Sequence, residues 1–352
     1  MERERFYEMG KGDFKKFVDV MIKDDPKAVV GVKSKGEKFV YDTLNSADEL
    51  RLDYDVTVLP PKKYFLPPTE PLLRYNLLDS SVKELSDVTP LIIIGIHPYD
   101  LIALEQMDVV FKDTNPDYHY LKKREESILI GVNMQNVSPH SFAGSMNTAT
   151  TDHGFDLMLT DVGDKYAIEA GSEKGRDLLE TYTKASVADP ETIAKVKQAE
   201  TEILSKFEKR INFPPEELPE LLEKNYNNEL WSKKAEKCLK CGSCNFVCPT
   251  CYCFDVQDVP DLNLKGGKRI RTWDGCLLED FAKVATGENF RGDIAARYRH
   301  RFMRKGKYLY DKFKFIACVG CGRCGSTCLP DIADPTEIFN DLKKDDLKEV
   351  TA

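Results

Sequence analysis

All 11 cysteines of this 352-residue chain lie at or beyond Cys238, and the two-thirds before it have none. Eight of them form two runs of one spacing, C-x-x-C-x-x-C-x-x-x-C. The first run, CLKCGSCNFVCP, holds Cys238, Cys241, Cys244 and Cys248, followed by Pro249. The second, CVGCGRCGSTCLP, holds Cys318, Cys321, Cys324 and Cys328. Disulfides of a secreted domain would be spread along the chain, and a reducing compartment disfavours them. This distribution points to metal.

Both runs carry the spacing with which bacterial-type ferredoxins bind [4Fe-4S] clusters. A tight loop stepping three residues at a time can aim three thiolates at three corners of one cubane, with backbone N–H groups toward its sulfurs. Gly242, Gly320, Gly322 and Gly325 suit such a loop, because glycine allows close approach and positive φ. The fourth cysteine of each run is carried away by the chain and usually ligates the other cluster. The expected ligand sets are therefore Cys238, Cys241, Cys244 and Cys328 for one cluster, and Cys318, Cys321, Cys324 and Cys248 for the second. Zinc is the rival metal, but one tetrahedral ion needs only four ligands, and a third evenly spaced cysteine does not suit it.

Three cysteines remain: Cys251 and Cys253 in PTCYCFDV, and Cys276 in WDGC. They read either as small buried residues that shield the clusters or as an extra metal site lacking a fourth ligand. The five histidines, His97, His119, His140, His153 and His300, show no ligand spacing and read as structural. About seventy residues separate the runs, an insertion that reads as mostly helical. It ends in RYRHRFMRKGKYLYDKFK, where Arg297, Arg299, Arg301, Arg304, Lys305, Lys307, Lys312 and Lys314 face only Asp311. That stretch is either a solvated face or a source of positive charge for anionic clusters or an acidic partner.

The first half alternates short Val- and Ile-rich runs with turn signals: AVVGV, KFVYDTL, DVTVLPP, LIIIGIHPYD, SILIGVNM and FDLMLTDVG. These read as strands. Between them, Leu101, Leu104, Met107 and Val110 recur at helical steps. From Asp189 the pattern changes to a long charged helix, capped by Asp189 with Pro190 in its first turn and broken by Pro214-Pro215. ELPELLEKNYNNELWSKKAEK then leads, as helix, into the first cysteine run. The expected class is α+β: a mixed α/β domain over 1–185, a helical linker over 186–232, and a mainly helical two-[4Fe-4S] ferredoxin-like domain over 233–352.

The net charge of -8 gives no reason to expect a nucleic-acid partner. PLIIIGI, the longest apolar stretch, is far short of the roughly 20 residues that span a bilayer. The charged N-terminus lacks the apolar core of a secretory signal, so no membrane and a cytoplasmic location are expected. No glycine fingerprint for a dinucleotide or phosphate is present: neither GxGxxG after a strand nor GxxxxGK[ST] occurs, and the surroundings of Gly171 and Gly175 lack the pattern.

CLKCGSCNFVCPTCYCFDV, RTWDGC and CVGCGRCGSTC resemble the dicluster iron–sulfur subunits typified by that of anaerobic sulfite reductase and by the beta subunit of cytoplasmic sulfhydrogenase. LRLDYDVTVLPPKKYFLPPTEPLLRY and GFDLMLTDVGDKYAIEAGSEKG extend the resemblance over nearly the whole chain. It implies a relay of electrons between a flavin subunit that handles NAD(P)H and a catalytic subunit bearing a metal centre, siroheme or nickel–iron. The sequence departs from that family at Ser141 and Ala143 of SFAGSM and at Tyr99 of GIHPYD, positions where cysteines are common in it. An extra cluster in this half is thereby put in doubt. The second run also ends CLP, which displaces Pro330 by one residue.

Two cysteine runs joined by exchanged ligands make best sense as an electron-transfer subunit of a soluble oxidoreductase complex of sulfite reductase, hydrogenase or disulfide reductase type. The alternative is a self-contained iron–sulfur reductase with substrate chemistry near Cys251, Cys253 and Cys276. A purely structural cluster protein is a third reading.

Overall fold

The computed structural model describes residues 5–25, 28–85, 88–183 and 185–351. The fold is α+β, as expected. Strands β1 (Phe6–Gly10), β2 (Val29–Lys35) and β3 (Lys38–Thr43) open the chain around helix α1 (Lys11–Asp24). β4 (Thr69–Asn76) and β5 (Val82–Glu84) follow, then β6 (Ile92–Ile96), helices α2 (Pro98–Lys112) and α3 (Tyr118–Glu126), and β7 (Ile128–Val132). β8 (Leu157–Asp161), β9 (Lys165–Ala170), α4 (Glu173–Tyr182) and β10 (Ser186–Val187) complete this part.

Eight of these strands form one sheet in the order β10-β1-β9-β8-β7-β6-β2-β3. Its centre is parallel, with Val30 beside Ile93, Ile94 beside Ile130, and Ile130 beside Leu157. IIIGI, ILIGV and LMLTD are almost uninterrupted apolar runs, as strands buried on both faces require. The α2–α3 pair supplies the crossover that parallel β6 and β7 need. One expected strand is absent: DVTVLPP makes only an isolated bridge between Thr57 and Phe39. Pro60 and Pro61 end any ladder there, and the Thr57 carbonyl accepts from Arg323 instead.

Asp189 caps α5 (Pro190–Ser205) as expected, its carboxylate accepting from the Thr192 N–H at 2.6 Å. The helix stops at Ser205, well before Pro214, because Phe207 leaves the helical path to pack on Gly144. α6 (Leu218–Lys224) and α7 (Leu230–Ala235) then lead to the first cysteine run.

The segment between the runs is helical only in its second half. Its first half is a hairpin, β11 (Phe254–Pro260) and β12 (Gly266–Trp273), and β12 pairs antiparallel with β4. The second sheet thus runs β11-β12-β4-β5. Its register slips between Arg269 and Ile270, opposite Pro71, a residue with no N–H to donate to a ladder. Arg271 of β12 is 2% exposed and binds Glu70 of β4 at 2.5 Å and Asp117 at the start of α3, while Lys123 also binds Glu70. This buried charge group fastens the hairpin to the first half of the chain.

Beyond the hairpin, one continuous helix comprises α9 (Ile294–Met303), a π-helical turn over Arg304–Tyr308, and α10 (Leu309–Phe313). Trp231, Tyr298, Phe302, Phe339 and Leu342 form a second core between α7, α9 and α12 (Pro335–Thr351). No helix among the described residues is long and apolar enough to cross a membrane.

Candidate metal centre

The two cysteine runs adopt matching conformations. Each begins as a loop and ends in a single helical turn, α8 (Ser243–Phe246) in the first and α11 (Arg323–Ser326) in the second. Gly242 (φ 71°) and Gly322 (φ 77°) start these turns in the left-handed region. Two residues earlier, Lys240 (φ 57°) and Gly320 (φ 65°) adopt that region again. The Cys248 N–H then donates to Asn245, and the Cys328 N–H to Gly325, each at 3.2 Å. Identical spacing has therefore produced identical loops.

Among the described residues no three His, Cys, Asp or Glu side chains stand close enough to share one metal ion. Cys318, Cys321 and Cys324 instead border a common cavity, and the fourth cysteine lining it is Cys248 of the first run. Phe142, Phe302, Phe339, Arg301 and Lys305 also line it. Thiols, aromatic rings and two cations fit an anionic iron–sulfur cluster held in a dry pocket. On the other side, Cys238, Cys244 and Cys328 all lie within electrostatic reach of the buried Tyr298 hydroxyl. Cys241 is the exposed thiol of the first run, and Leu239 next to Cys238 and Leu329 next to Cys328 are exposed too.

Burial pushes the thiols of Cys244 and Cys321 up to about 12 and that of Cys253 to about 11. Cys241 moves the other way, because hydrogen bonds from Ser243 favour its thiolate. The Cys251 thiol hydrogen-bonds that of Cys248 and holds it well below the usual range, helped by Lys305 and Lys62. Metal ligation replaces these protons, so assembly of the centre is coupled to proton release.

Of the three remaining cysteines, Cys251 sits against Cys248, Cys276 lies near Cys244, and Cys253 lies near Cys276. The Asn245 side-chain amide donates toward Cys276 Sγ (3.4 Å) and Cys251 Sγ (3.7 Å). The histidines go elsewhere: His97 is fully buried, stacked on Tyr54 at 3.9 Å and bonded through Nδ1 to the Tyr99 hydroxyl at 2.8 Å. His153 pairs with Glu105, His119 lies near Glu84, His300 lies beside Tyr308, and the buried Nδ1 of His140 has no partner among the described residues.

The basic stretch divides by direction. Arg301 and Lys305, four residues apart on one helix face, point inward at the cysteines and are 3% and 6% exposed. Arg297 donates to the carbonyls of Arg291 and Gly292. The outward members have more acidic partners than Asp311 alone: Lys307 pairs with Glu223 as well as Asp311, and Lys312 with Asp113. Arg299 and Arg304 lie over the rings of Tyr226 and Tyr252, and Lys314 over Tyr310.

Sequence reasoning missed how closely the first half encloses the second run. The Phe142 N–H and the Ser141 hydroxyl donate to the Gly320 carbonyl at 2.8 and 3.1 Å, and the Thr148 hydroxyl donates to that of Val319 at 2.7 Å. A Cβ on Gly320 would stand 2.7 Å from the Ala143 nitrogen, and one on Gly322 2.4 Å from the His140 carbonyl. Those glycines thus admit the 140–143 backbone as well as a positive φ. Ser141 and Ala143 lie in that segment, and Tyr99 shares an apolar cluster with Cys321. Lys62 was missed as well: it is 2% exposed, donates to the Cys251 carbonyl at 2.7 Å, and lies over the Trp273 ring.

Residues 237–332 match the family model of a 4Fe-4S dicluster domain. The chain is 31% identical over 317 residues to sulfhydrogenase 2 subunit beta of Pyrococcus furiosus, an alignment that covers 90% of this chain and 92% of that protein. No solved structure gives a significant match. Residues 237–332 therefore form an iron–sulfur domain, and the chain belongs to the family of dicluster iron–sulfur subunits typified by the beta subunit of sulfhydrogenase and its counterpart in anaerobic sulfite reductase.

Proposed function

We propose that this chain is the electron-relay subunit of a cytoplasmic multi-subunit oxidoreductase and carries two [4Fe-4S] clusters with exchanged ligands. Cys238, Cys241, Cys244 and Cys328 hold one, and Cys318, Cys321, Cys324 and Cys248 hold the other. The observation that carries this reading is the cavity of the second run, whose fourth thiol, Cys248, comes from the first. When bound, the clusters take up and release single electrons. The chain's own residues shield one site with Phe142, Phe302 and Phe339 and leave Cys241 of the other at the surface, where a partner can approach.

The partners of this reading are a flavin subunit that oxidises or reduces NAD(P)H and a catalytic subunit with its own metal centre. The relative's name, a sulfhydrogenase subunit, supports a complex of this kind. Anaerobically purified chain should contain roughly eight irons and eight acid-labile sulfides, the content of two cubanes. It should accept electrons from a strong reductant, yet turn over no hydrogen, sulfite or NAD(P)H until its partners are added. Stoichiometric zinc with little iron would overturn the cluster reading, and sustained NAD(P)H oxidation by the chain alone would overturn the relay.

A further inference from the structure

Three buried cations converge on the segment that joins the two cysteine groups. Lys62 comes from the turn at Pro61–Tyr64, in the first half of the chain, and its ammonium reaches the Cys251 carbonyl across 189 residues of sequence. Lys305 comes from the π-helical turn and donates to the Thr250 hydroxyl at 2.7 Å, which lies 3.4 Å from Cys248 Sγ. Arg301, one turn earlier, lies between the groups, within electrostatic reach of both Cys244 and Cys324. The groups of negative polarity that face these three side chains are cysteine sulfurs: Cys248, Cys251 and Cys253 for Lys62, Cys248 and Cys251 for Lys305, and Cys244, Cys324, Cys248 and Cys251 for Arg301.

Burying a cation away from water costs several kcal/mol unless an anion faces it. Elsewhere the fold meets that cost with carboxylates, as Glu70 and Asp117 do for Arg271 and Asp100 for Arg323. Around Cys248 no carboxylate takes the role among the described residues, so the fold holds three positive charges ready for an anionic group. A cubane bound by four thiolates is such a group, and each electron it accepts adds another negative charge.

We propose that Lys62, Arg301 and Lys305 are positioning residues for electron transfer, which set how readily the cluster that includes Cys248 accepts its electron. The inference rests on the ligand sets given above. In a low-dielectric pocket a nearby cation stabilises the reduced cluster more than the oxidised one. Lys62 and Lys305 stand beside Cys248 and act mainly on its cluster, whereas Arg301 acts on both. The π-helical turn that carries Lys305 is a device that recurs at functional sites.

The test is a redox titration, followed by electron paramagnetic resonance, of the full chain purified anaerobically, with iron counted in every sample. Lys62→Met should keep its iron. At a fixed potential its ratio of reduced to oxidised cluster should fall about tenfold for one cluster, a shift of about 59 mV for a one-electron couple. Lys62→Arg, which keeps the charge, should stay within about twofold of the parent. Loaded Lys62→Met with both couples unmoved would overturn the inference, as would Lys62→Arg moving as far as Lys62→Met, because the effect would then be structural. Should Lys62→Met fail to load, Lys305→Met is read in the same way. The unmodified protein decides if both fail: buried charges are poorly screened, so the ratio should change less than about twofold between low and high salt, and a tenfold change overturns the proposal. Absence of iron from the parent chain would instead defeat the ligand sets on which the inference rests.

Discussion

Arg323, between two cysteines of the second run, donates both terminal guanidinium nitrogens to Asp100 at the start of α2, at 2.7 and 2.6 Å, across 223 residues of sequence. Its remaining donors reach the Thr57 carbonyl and hydroxyl, and both charged side chains are buried. The second cysteine loop is thereby tied to two separate parts of the first half of the chain.

Breaking such a pair from one side leaves a buried charge unmatched. Arg323→Met should lower stability by about 3–5 kcal/mol, and Arg323→Met combined with Asp100→Leu should recover most of that. Denaturant unfolding of the three proteins measures both quantities. Equal losses in the single and double variants would show that packing, rather than charge, holds the loop.

Gly322 and Gly325 lie three residues apart yet differ in tolerance. Gly322→Ala combines a positive φ with a 2.4 Å overlap against the His140 backbone, so it should cost at least about 2 kcal/mol and expose the 138–146 segment to protease. Gly325→Ala meets nothing nearer than His140 Nδ1 at 3.3 Å and should stay within about 1 kcal/mol of the parent. Limited proteolysis alongside thermal unfolding separates the two.

His300 yields a pH dependence. Burial, with Arg291 nearby, lowers its imidazole from the ordinary 6.5 to about 4. A group whose folded value is depressed resists protonation in the native state, so the stability it permits is full above pH 6.5 and is lost as pH falls from there toward 4. Because the ring is only partly buried, the loss is about 1 kcal/mol after solvent screening. His300→Asn should narrow its stability deficit against the parent between pH 7 and pH 5. A constant deficit across that range would contradict the assignment.

Local pattern made much of this legible. The apolar runs at 29–35, 92–96, 128–132 and 157–161 became strands, and Asp189 with Pro190 announced α5, because periodicity and capping act over a few residues. DVTVLPP carries the same composition and failed, because Arg323, 266 residues away, takes the Thr57 carbonyl. The β4–β12 pairing joins segments about 200 residues apart and leaves no local signature. The cysteine spacing was legible since one loop imposes it. Lys62, Arg301 and Arg323 were not, since a basic residue in sequence reads as surface until something buried is found to oppose it.

The exchange of ligands between the runs is the claim on which the relay depends, and cluster-resolved spectra of Cys248→Ser and Cys328→Ser test it most directly. Three residues separate Cys328 from Cys324, and its N–H closes onto Gly325 as the chain leaves the loop. Cys248→Ser should alter the spectrum and potential of the cluster held by Cys318, Cys321 and Cys324, and leave the other near its parent values. Cys328→Ser should alter the cluster of Cys238, Cys241 and Cys244. If each serine instead perturbs the cluster of its own run, the two runs are independent sites and the account is wrong.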